Sequence, residues 1–212
     1  MIATRTPDPV PPELLTRLHR LRGAGRKLVA VAGAPASGKS FLGAALCDAL
    51  CRDGVAATLV PMDGFHLDNR ILDARNLRAR KGAPETFDAA GFIALIQRFR
   101  TEREVVYPLF DRARDLSIAG AGVLDPACEV VVIEGNYLLF DEPPWADLAG
   151  LWDFSIWLDT PEETILQRCV ARWLAHGHDP EAARTRAERN DLANARRIIA
   201  ARLAADMTLS DP

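Results

Sequence analysis

The sequence lacks the features of membrane proteins, nucleic-acid-binding proteins and disulfide-rich secreted proteins. No apolar run approaches the about 20 residues of a membrane span. A formal net charge of −3 gives no basic excess for a nucleic acid or a membrane surface. No internal repeat or low-complexity tract is present, and the polar, proline-rich residues 1–12 contain no apolar signal-peptide core. These absences favour a globular protein, and 49% apolar residues suffice for a substantial core.

Cysteine is also scarce. The four cysteines show neither metal-ligand nor redox spacing; they are Cys47, Cys51, Cys128 and Cys169. Cys47 and Cys51 lie one turn apart on a predicted helix, where we expect both thiols to be reduced and in the core. A reducing cytoplasm is therefore the expected location.

One stretch fits the phosphate-binding pattern G-x-x-x-x-G-K-[ST]. It consists of Gly33, Ala34, Pro35, Ala36, Ser37, Gly38, Lys39 and Ser40. A predicted buried strand at 27–32 precedes it, and a predicted helix at 41–51 follows it. The two glycines allow the loop to wrap a triphosphate, and the helix N-terminus adds positive potential. We therefore predict an ATP site that extends to Phe41, in which Lys39 reaches the β- and γ-phosphates and Ser40 holds Mg²⁺.

A carboxylate follows the second predicted strand, residues 56–62. Asp63 would stand at the carboxyl end of that strand, which is the ligand edge of an open α/β sheet. Two interpretations are open at this point. Asp63 and Gly64 could form a turn in which the aspartate bonds its own backbone. Alternatively, Asp63 is a catalytic base or a substrate ligand.

The clearest central strand spans residues 129–135, with four consecutive β-branched residues. It ends at Glu134, which needs a cation or a donor nearby because an unpaired buried carboxylate is costly. Beside a P-loop we expect Glu134 to bind Mg²⁺, and the alternative is a structural acid paired with an arginine. Asn136 and Tyr137 continue along the predicted site.

Two further stretches could contact a substrate. A basic cluster could face an anionic substrate or form a solvated surface; it contains Arg75, Arg78, Arg80 and Lys81. A predicted strand at 104–110 leads into residues 111–115, which carry four charges beside two aromatic rings. Flat apolar faces and hydrogen-bonding groups suit a small-molecule pocket, although a surface turn has a similar composition. These groups belong to Tyr107, Phe110, Asp111 and Arg112.

The last third of the sequence predicts a helix, a break and a second helix. The first helix begins after a Thr160 cap and carries Arg168 and Arg172 one turn apart. A polyphosphate between these two arginines would remove their mutual repulsion. The second helix begins near Pro180 and carries Arg184, Arg186 and Arg189. We interpret residues 161–192 as a mobile lid that excludes water, and a solvated helix pair is the alternative.

Together these elements predict a three-layer α/β fold of the P-loop NTPase type, with a parallel sheet of about five strands and a helical lid. Residues 1–212 would form a single domain. A leading helix is predicted at 11–22 and a last edge strand at 206–210.

Three landmarks together make the chain resemble the P-loop kinase family that includes uridine kinase, type I pantothenate kinase and phosphoribulokinase. They are residues 33–40, Asp63-Gly64-Phe65-His66 and Val131-Val132-Ile133-Glu134-Gly135. The chain is similar to a bacterial branch labelled fructose transport system kinase, or nucleoside kinase-like. That similarity lies in residues 80–88, 107–112, 132–139 and 188–191, and the whole resemblance spans roughly residues 28–199.

The resemblance implies Mg²⁺-dependent transfer of the ATP γ-phosphoryl group to a hydroxyl of a small metabolite, such as fructose or a nucleoside. Lys39 and Ser40 match the phosphate lysine and the magnesium hydroxyl. Asp63 matches the carboxylate that activates the acceptor, and Glu134 matches the second acid near magnesium. Arg168 and Arg172 match arginines in the lid of relatives. His66 matches a position of the substrate site whose residue varies among relatives. Relatives are often dimers, so a second copy of the chain is a further expected partner.

Two other functions fit parts of the pattern. A nucleotide-binding regulatory module of a sugar transport system would bind ATP without small-molecule kinase activity, which leaves Asp63 and residues 107–114 without a chemical role. A nucleotide kinase needs a basic acceptor pocket, and the cluster at residues 75–81 offers one. The dependence of ADP release on the acceptor separates these possibilities.

Overall fold

A parallel five-stranded sheet forms the centre of the computed structural model, which describes residues 10–21 and 25–210. The strands are β1 (Lys27–Gly33), β2 (Ala57–Pro61), β3 (Val105–Asp111), β4 (Leu116–Leu124), β5 (Val130–Gly135), β6 (Phe154–Asp159) and β7 (Met207–Ser210). The central sheet has the order β2–β5–β1–β6–β7, and every pair in it is parallel. The predicted α/β fold, the five-stranded sheet and the last edge strand are therefore confirmed.

Helices cover both faces of this sheet. The α-helices are α1 (Pro12–Arg20), α2 (Lys39–Arg52), α3 (Asn69–Ala74), α4 (Ala89–Thr101), α5 (Glu162–Ala175), α6 (Pro180–Arg186) and α7 (Ala193–Ala200). Short 3-10 turns lie at Met62–Phe65, Arg78–Arg80, Pro84–Thr86 and Trp145–Leu148, and a π-helical segment, Ala187–Leu192, joins α6 to α7. No helix among these described residues is both long enough and apolar enough to cross a bilayer.

The core has two halves because successive side chains of β1 point to opposite faces of the sheet. Leu28 and Ala30 pack with the half that contains Phe92 of α4, whereas Val29 packs with the half that contains Leu46 of α2. All of β5 is buried, as its run of β-branched residues predicts. A third, smaller apolar cluster joins α5 and Ala187–Leu192 to the P-loop.

The predicted strand at 104–110 exists as β3, but it does not join the central sheet. It pairs antiparallel with β4, a strand that the sequence analysis did not predict, and the two form a separate ribbon. The residues of β4 between 119 and 121 are exposed, so its pattern lacks the alternation that marks a half-buried strand. The charged residues 111–115 form the turn of this ribbon.

Several local predictions are corrected. Helix α5 is capped by Pro161 without a side-chain hydrogen bond, so the predicted Thr160 cap is wrong, and the Thr160 hydroxyl is buried without a partner among the described residues. Cys47 is buried, but Cys51 is exposed. The leading helix spans Pro12–Arg20; the end predicted for it at residue 22 lies outside the described residues, as do residues 1–9. All four cysteines are free thiols.

Candidate active site

The carboxyl ends of three adjacent strands bring the main predicted groups together. Strand β5 lies between β1 and β2, and Glu134 pairs in register with Val31 on one side and with Pro61 on the other. The P-loop opens at Gly33, where β1 ends, and Asp63 follows two residues after β2. The lysine, the glutamate and the aspartate therefore share one edge of the sheet.

The P-loop curls around the ammonium group of Lys39. Gly38 has a φ of 91°, a left-handed conformation that favours glycine. The Lys39 Nζ donates to the carbonyl of Ala34 at 2.7 Å and to the Ser37 Oγ at 3.4 Å, and the residue is only 7% exposed. Pro35 is buried, Ala36 is half-buried, and the ring of Phe41 is 69% exposed.

Burial controls the protonation of Lys39. It lowers the pKa of Lys39 to about 8, against the opposing charges of Glu134 and Asp63. The positive charge of Arg172, one of the two predicted lid arginines, lowers the same pKa further. A bound triphosphate would supply the negative charge that this buried ammonium group lacks.

Ser40 and Glu134 form a pair suited to Mg²⁺. The Ser40 Oγ donates to the Glu134 Oε1 at 3.1 Å, and Glu134 is 6% exposed. Burial, and then the charge of Asp63, raise the pKa of Glu134. A hydroxyl and one carboxylate fit Mg²⁺, which retains waters and phosphate oxygens among its ligands. Accordingly, no cluster of three or more His, Cys, Asp or Glu side chains with metal-site geometry occurs in the described residues.

Asp63 is the second residue of the tight turn Met62–Phe65, but its side chain bonds to another part of the molecule. The Arg112 Nη2, at the tip of the β3–β4 ribbon, lies 2.6 Å from the Asp63 Oδ2. The turn packs directly against β3, since a Cβ on Gly64 would lie 2.2 Å from the Pro108 carbonyl oxygen. Gly64 therefore has no room for a side chain, and the close contact fixes the position of Asp63 relative to the ribbon.

His66 and Phe110 form an aromatic wall beside Asp63. The His66 ring centre lies 4.1 Å from that of Phe87 and 4.7 Å from that of Phe110. Its Nδ1 donates to the Asp63 carbonyl at 2.8 Å, and burial lowers its pKa, so a neutral imidazole is favoured. The Lys81 Nζ lies 5.1 Å from the Phe110 ring centre.

Other residues predicted for the substrate pocket have different positions. Tyr137 is completely buried and donates its hydroxyl to the Gly82 carbonyl, while Tyr107 is 6% exposed and packs edge-on to Phe99. Burial raises the pKa of both tyrosines. Both rings pack in the core, and a contact of either one with the substrate stays a prediction.

The polar residues predicted for the pocket remain accessible. Asp111 is half-buried and pairs with Arg114 at 2.7 Å, and Asn136 is half-buried directly after β5. Arg80 extends toward α7, where its Nη2 donates to the Asn194 Oδ1 at 3.2 Å.

Both predicted lid arginines reach toward the P-loop. The Arg168 Nη1 lies 3.4 Å from the Ala36 carbonyl oxygen. The Arg172 Nη2 pairs with the Asp191 Oδ1 at 3.0 Å, and its Nε is buried without a hydrogen-bond partner among the described residues. The indole Nε1 of Trp173 donates to the second Asp191 oxygen at 2.6 Å. Asp191 thus orients Arg172.

The sequence analysis did not assign roles to Asn190, Asn194 and Asp191, which are all buried. Asn190 donates to the Lys81 carbonyl at 2.9 Å and so connects the lid region to the segment after Arg78–Arg80. The resemblance at residues 188–191 was the one available signal for this connection.

Comparisons with known proteins agree with this geometry. The sequence profile of the "Phosphoribulokinase / Uridine kinase family" matches residues 28–206. A crystal structure of a "putative fructose transport system kinase" from Silicibacter sp. TM1040 is 56% identical, has a TM-score of 0.89, and the match covers 92% of this chain and 96% of that chain. "Putative uridine kinase C227.14" of Schizosaccharomyces pombe is 35% identical over 193 residues, 86% of this chain and 82% of the relative. "Uncharacterized protein YggC" of Escherichia coli K12 is 33% identical over 189 residues, 88% and 78% respectively.

Proposed function

The chain belongs to the phosphoribulokinase / uridine kinase family of small-molecule kinases, and we propose that it transfers the γ-phosphoryl group of ATP to a hydroxyl of a small metabolite, either a sugar such as fructose or a nucleoside. Family membership implies the use of ATP, usually with Mg²⁺. The observation that carries the proposal is the convergence of Lys39, the Ser40–Glu134 pair and Asp63 at one edge of the sheet.

In this proposal the P-loop holds the phosphates. Its backbone N–H groups and the Lys39 ammonium bind the β- and γ-phosphate oxygens. Ser40 and Glu134 hold Mg²⁺, which neutralises charge on those oxygens when bound. Residues 161–192 act as the lid, and Arg168 and Arg172 stabilise the charge that spreads over the transferring group. The positions of both arginines beside the P-loop support this role.

Asp63 is the proposed base. It accepts the proton of the acceptor hydroxyl as the oxygen attacks the γ-phosphorus. The Asp63 side chain is paired with Arg112, so the acceptor has to displace that guanidinium or bind beside it. The Arg112 side chain is 60% exposed at the ribbon tip, where little packing opposes its movement. His66 and Phe110 would provide a flat wall for the acceptor.

The test measures ADP release with Mg-ATP across a panel of hydroxyl compounds that contains fructose, other sugars, uridine, cytidine, pantothenate, ribulose 5-phosphate and a nucleoside monophosphate. We expect one acceptor to raise turnover far above background. Asp63→Asn should lower that turnover by about 10²- to 10⁴-fold, the usual contribution of a general base, while ATP still binds. Asp73→Asn is the matched control, because Asp73 is an exposed carboxylate that pairs with Arg78 at 2.7 Å.

Two outcomes would contradict the proposal in different ways. Full turnover by Asp63→Asn would exclude this residue as the base. A flat response across the panel, with tight ATP binding, would favour a nucleotide-binding regulatory module.

A further inference from the structure

A cavity of about 650 Å³ lies between the Arg78–Arg80 turn and helix α6. Its volume falls within the roughly 300–1,000 Å³ of small-molecule sites. Three arginines line it, namely Arg80, Arg186 and Arg189. The cavity is distinct from the P-loop, whose residues do not contribute to its wall.

Two of these arginines have no acidic partner among the described residues. Neither Arg186 nor Arg189 forms an ion pair there, and the Arg186 Nε is buried without a hydrogen-bond partner. The Arg186 guanidinium instead lies 4.2 Å from the centre of the Trp173 ring. By contrast, Arg184 on the same helix pairs with Glu188 at 2.8 Å. Arg186 and Arg189 therefore face the cavity without an ion pair among the described residues, whereas Arg80 lies 3.9 Å from the Glu85 carboxylate.

The acidic groups of the cavity do not cancel this charge. Asp179 uses one carboxylate oxygen to cap α6, where it accepts a hydrogen bond from the Ala182 backbone N–H. Glu181 is exposed on the first turn of α6. The two arginines without an ion pair, Arg186 and Arg189, thus face two acids, of which one caps the helix and the other is exposed to solvent.

The cavity adjoins both parts of the proposed active site. Asn190 lines the cavity and donates to the Lys81 carbonyl. The Lys81 side chain lies over the ring of Phe110 in the aromatic wall. The next residue, Asp191, holds Arg172 beside the P-loop. A molecule in the cavity would therefore lie beside Asn190, which bonds to the segment that carries Lys81 and is followed by the aspartate that binds Arg172.

We infer that the acceptor carries an anionic oxygen group, a phosphate or a carboxylate, which binds to Arg186 and Arg189 in this cavity. The planar guanidinium offers paired N–H donors that match the oxygens of either group. The inference rests on the proposed kinase function and narrows its acceptor to hydroxyl compounds with a second, negatively charged end. Binding of that end supplies the counter-charge that both arginines lack.

Matched acceptor pairs test the inference. The pairs are fructose with fructose 6-phosphate, uridine with uridine monophosphate, and glycerol with glycerate, so that phosphate and carboxylate are compared separately. We expect one anionic member to be used with at least a tenfold higher kcat/KM than its neutral partner. Arg186→Gln and Arg189→Gln should each raise the KM for that compound about tenfold or more, with little change for the neutral partner.

Arg184→Gln is the matched control, since it removes the same charge from the outer face of α6. Equal use of the neutral and anionic members would overturn the inference while leaving the kinase function intact. The inference is also overturned, with the kinase function intact, if Arg186→Gln and Arg189→Gln have the same KM for the anionic compound as Arg184→Gln.

A binding measurement distinguishes failure of the anion-site inference from failure of the proposed kinase function. Calorimetric titration with the three anionic compounds uses protein saturated with Mg²⁺ and a non-hydrolysable ATP analogue, so that the P-loop is occupied. Binding that is lost in Arg186→Gln and Arg189→Gln but kept in Arg184→Gln supports the anion site even if no acceptor is phosphorylated. Absence of binding by all three compounds, together with absence of turnover, would overturn both proposals.

Discussion

Lys39 carries its charge in a position from which water is largely excluded. The Ala34 carbonyl is the closest hydrogen-bond acceptor of its ammonium group, and burial lowers the pKa to about 8 in the phosphate-free protein. A triphosphate favours the charged form, so ATP binding raises this pKa. Between the free and the bound pKa, binding must therefore take up a proton.

This linkage predicts that ATP binding weakens as the pH rises above about 8, because more of the free protein then holds a neutral Lys39. Calorimetry in two buffers of different ionisation enthalpy should show little proton uptake near pH 7 and uptake approaching one proton near pH 9. Lys39→Met should bind ATP weakly and show no such uptake. Equal uptake in wild type and Lys39→Met would assign the proton to another group.

Asp63 and Arg112 form an ion pair that the sequence does not reveal. In the sequence, one follows a strand and the other belongs to a charged turn nearly fifty positions later. In the structure they form an ion pair at 2.6 Å. If Asp63 is the base, as we propose, its carboxylate becomes accessible when Arg112 at the ribbon tip moves or itself binds the acceptor.

Among the elements, the β3–β4 ribbon carries Phe110 and Arg112 of the proposed acceptor site. A two-stranded ribbon is marginally stable by itself, so its contacts with the rest of the molecule hold it in place. One such contact is the packing of the Met62–Phe65 turn against Pro108, and another is the hydrogen bond from the Ser117 hydroxyl to the His66 carbonyl at 3.0 Å. The turn that carries Asp63 and the ribbon that carries Arg112 are therefore packed directly against each other.

Gly64→Ala should separate these two elements. The new Cβ would lie 2.2 Å from a backbone oxygen, which cannot give way as a flexible side chain can. We expect a loss of about 1–3 kcal/mol in the free energy of unfolding, typical of overpacking, measured by denaturant titration. Turnover should fall as well, because Asp63 shifts.

Gly150→Ala is the control, since a Cβ there meets no atom within 4 Å. Equal stability of the two variants would show that the turn and the ribbon adjust without cost.

The lid region owes its local shape to buried polar contacts. The π-helical segment Ala187–Leu192 places Asn190 and Asp191 inward, where they bond to the Lys81 carbonyl and to Arg172. Unpaired buried polar groups are costly, so these bonds define one arrangement of the segment. Pi-helical turns often occur at functional sites, and this one places Asn190 at the arginine-lined cavity and Asp191 against Arg172.

For the molecule as a whole, the buried carboxyl group of Glu134 affects stability. Glu134 is buried beside Asp63, and its raised pKa means that folding disfavours its ionised form. A carboxyl group whose pKa rises on folding lowers stability above its unfolded pKa. The cost disappears when the pH falls below the unfolded pKa, because the group is then protonated in both states.

Glu134→Gln should therefore raise the denaturant midpoint at pH 7.5, and the gain should shrink as the pH is lowered toward 5. The amide retains an oxygen for the Ser40 hydroxyl but loses the charge that suits Mg²⁺. We expect Mg²⁺-dependent turnover to fall in the same variant.

Glu163→Gln, at an exposed position of α5, is the control and should change neither property. A lower midpoint for Glu134→Gln at pH 7.5 would show that its attraction to Lys39 outweighs its burial.

Sequence patterns alone are enough to predict the strand–loop–helix of the P-loop, the buried central strand, the α/β class and the resemblance to a kinase family. These features depend on local patterns: glycine spacing, β-branched runs and helical periodicity within about ten residues. The positions of Lys39, Asp63 and Glu134 at strand ends followed from the same patterns. Their convergence then follows from the parallel order β2–β5–β1.

Which side chains of a segment such as residues 107–112 are buried and which are accessible depends on the tertiary structure. Tyr107 and Tyr137 are buried in the core. Aromatic rings occur both in cores and in ligand pockets, so the sequence does not distinguish the two positions. The Asp63–Arg112 pair, the Asp191–Arg172 pair and the arginine-lined cavity depend on contacts between residues that are far apart in the chain. No local pattern encodes such contacts, since they arise when separate helices, turns and ribbons pack against one another.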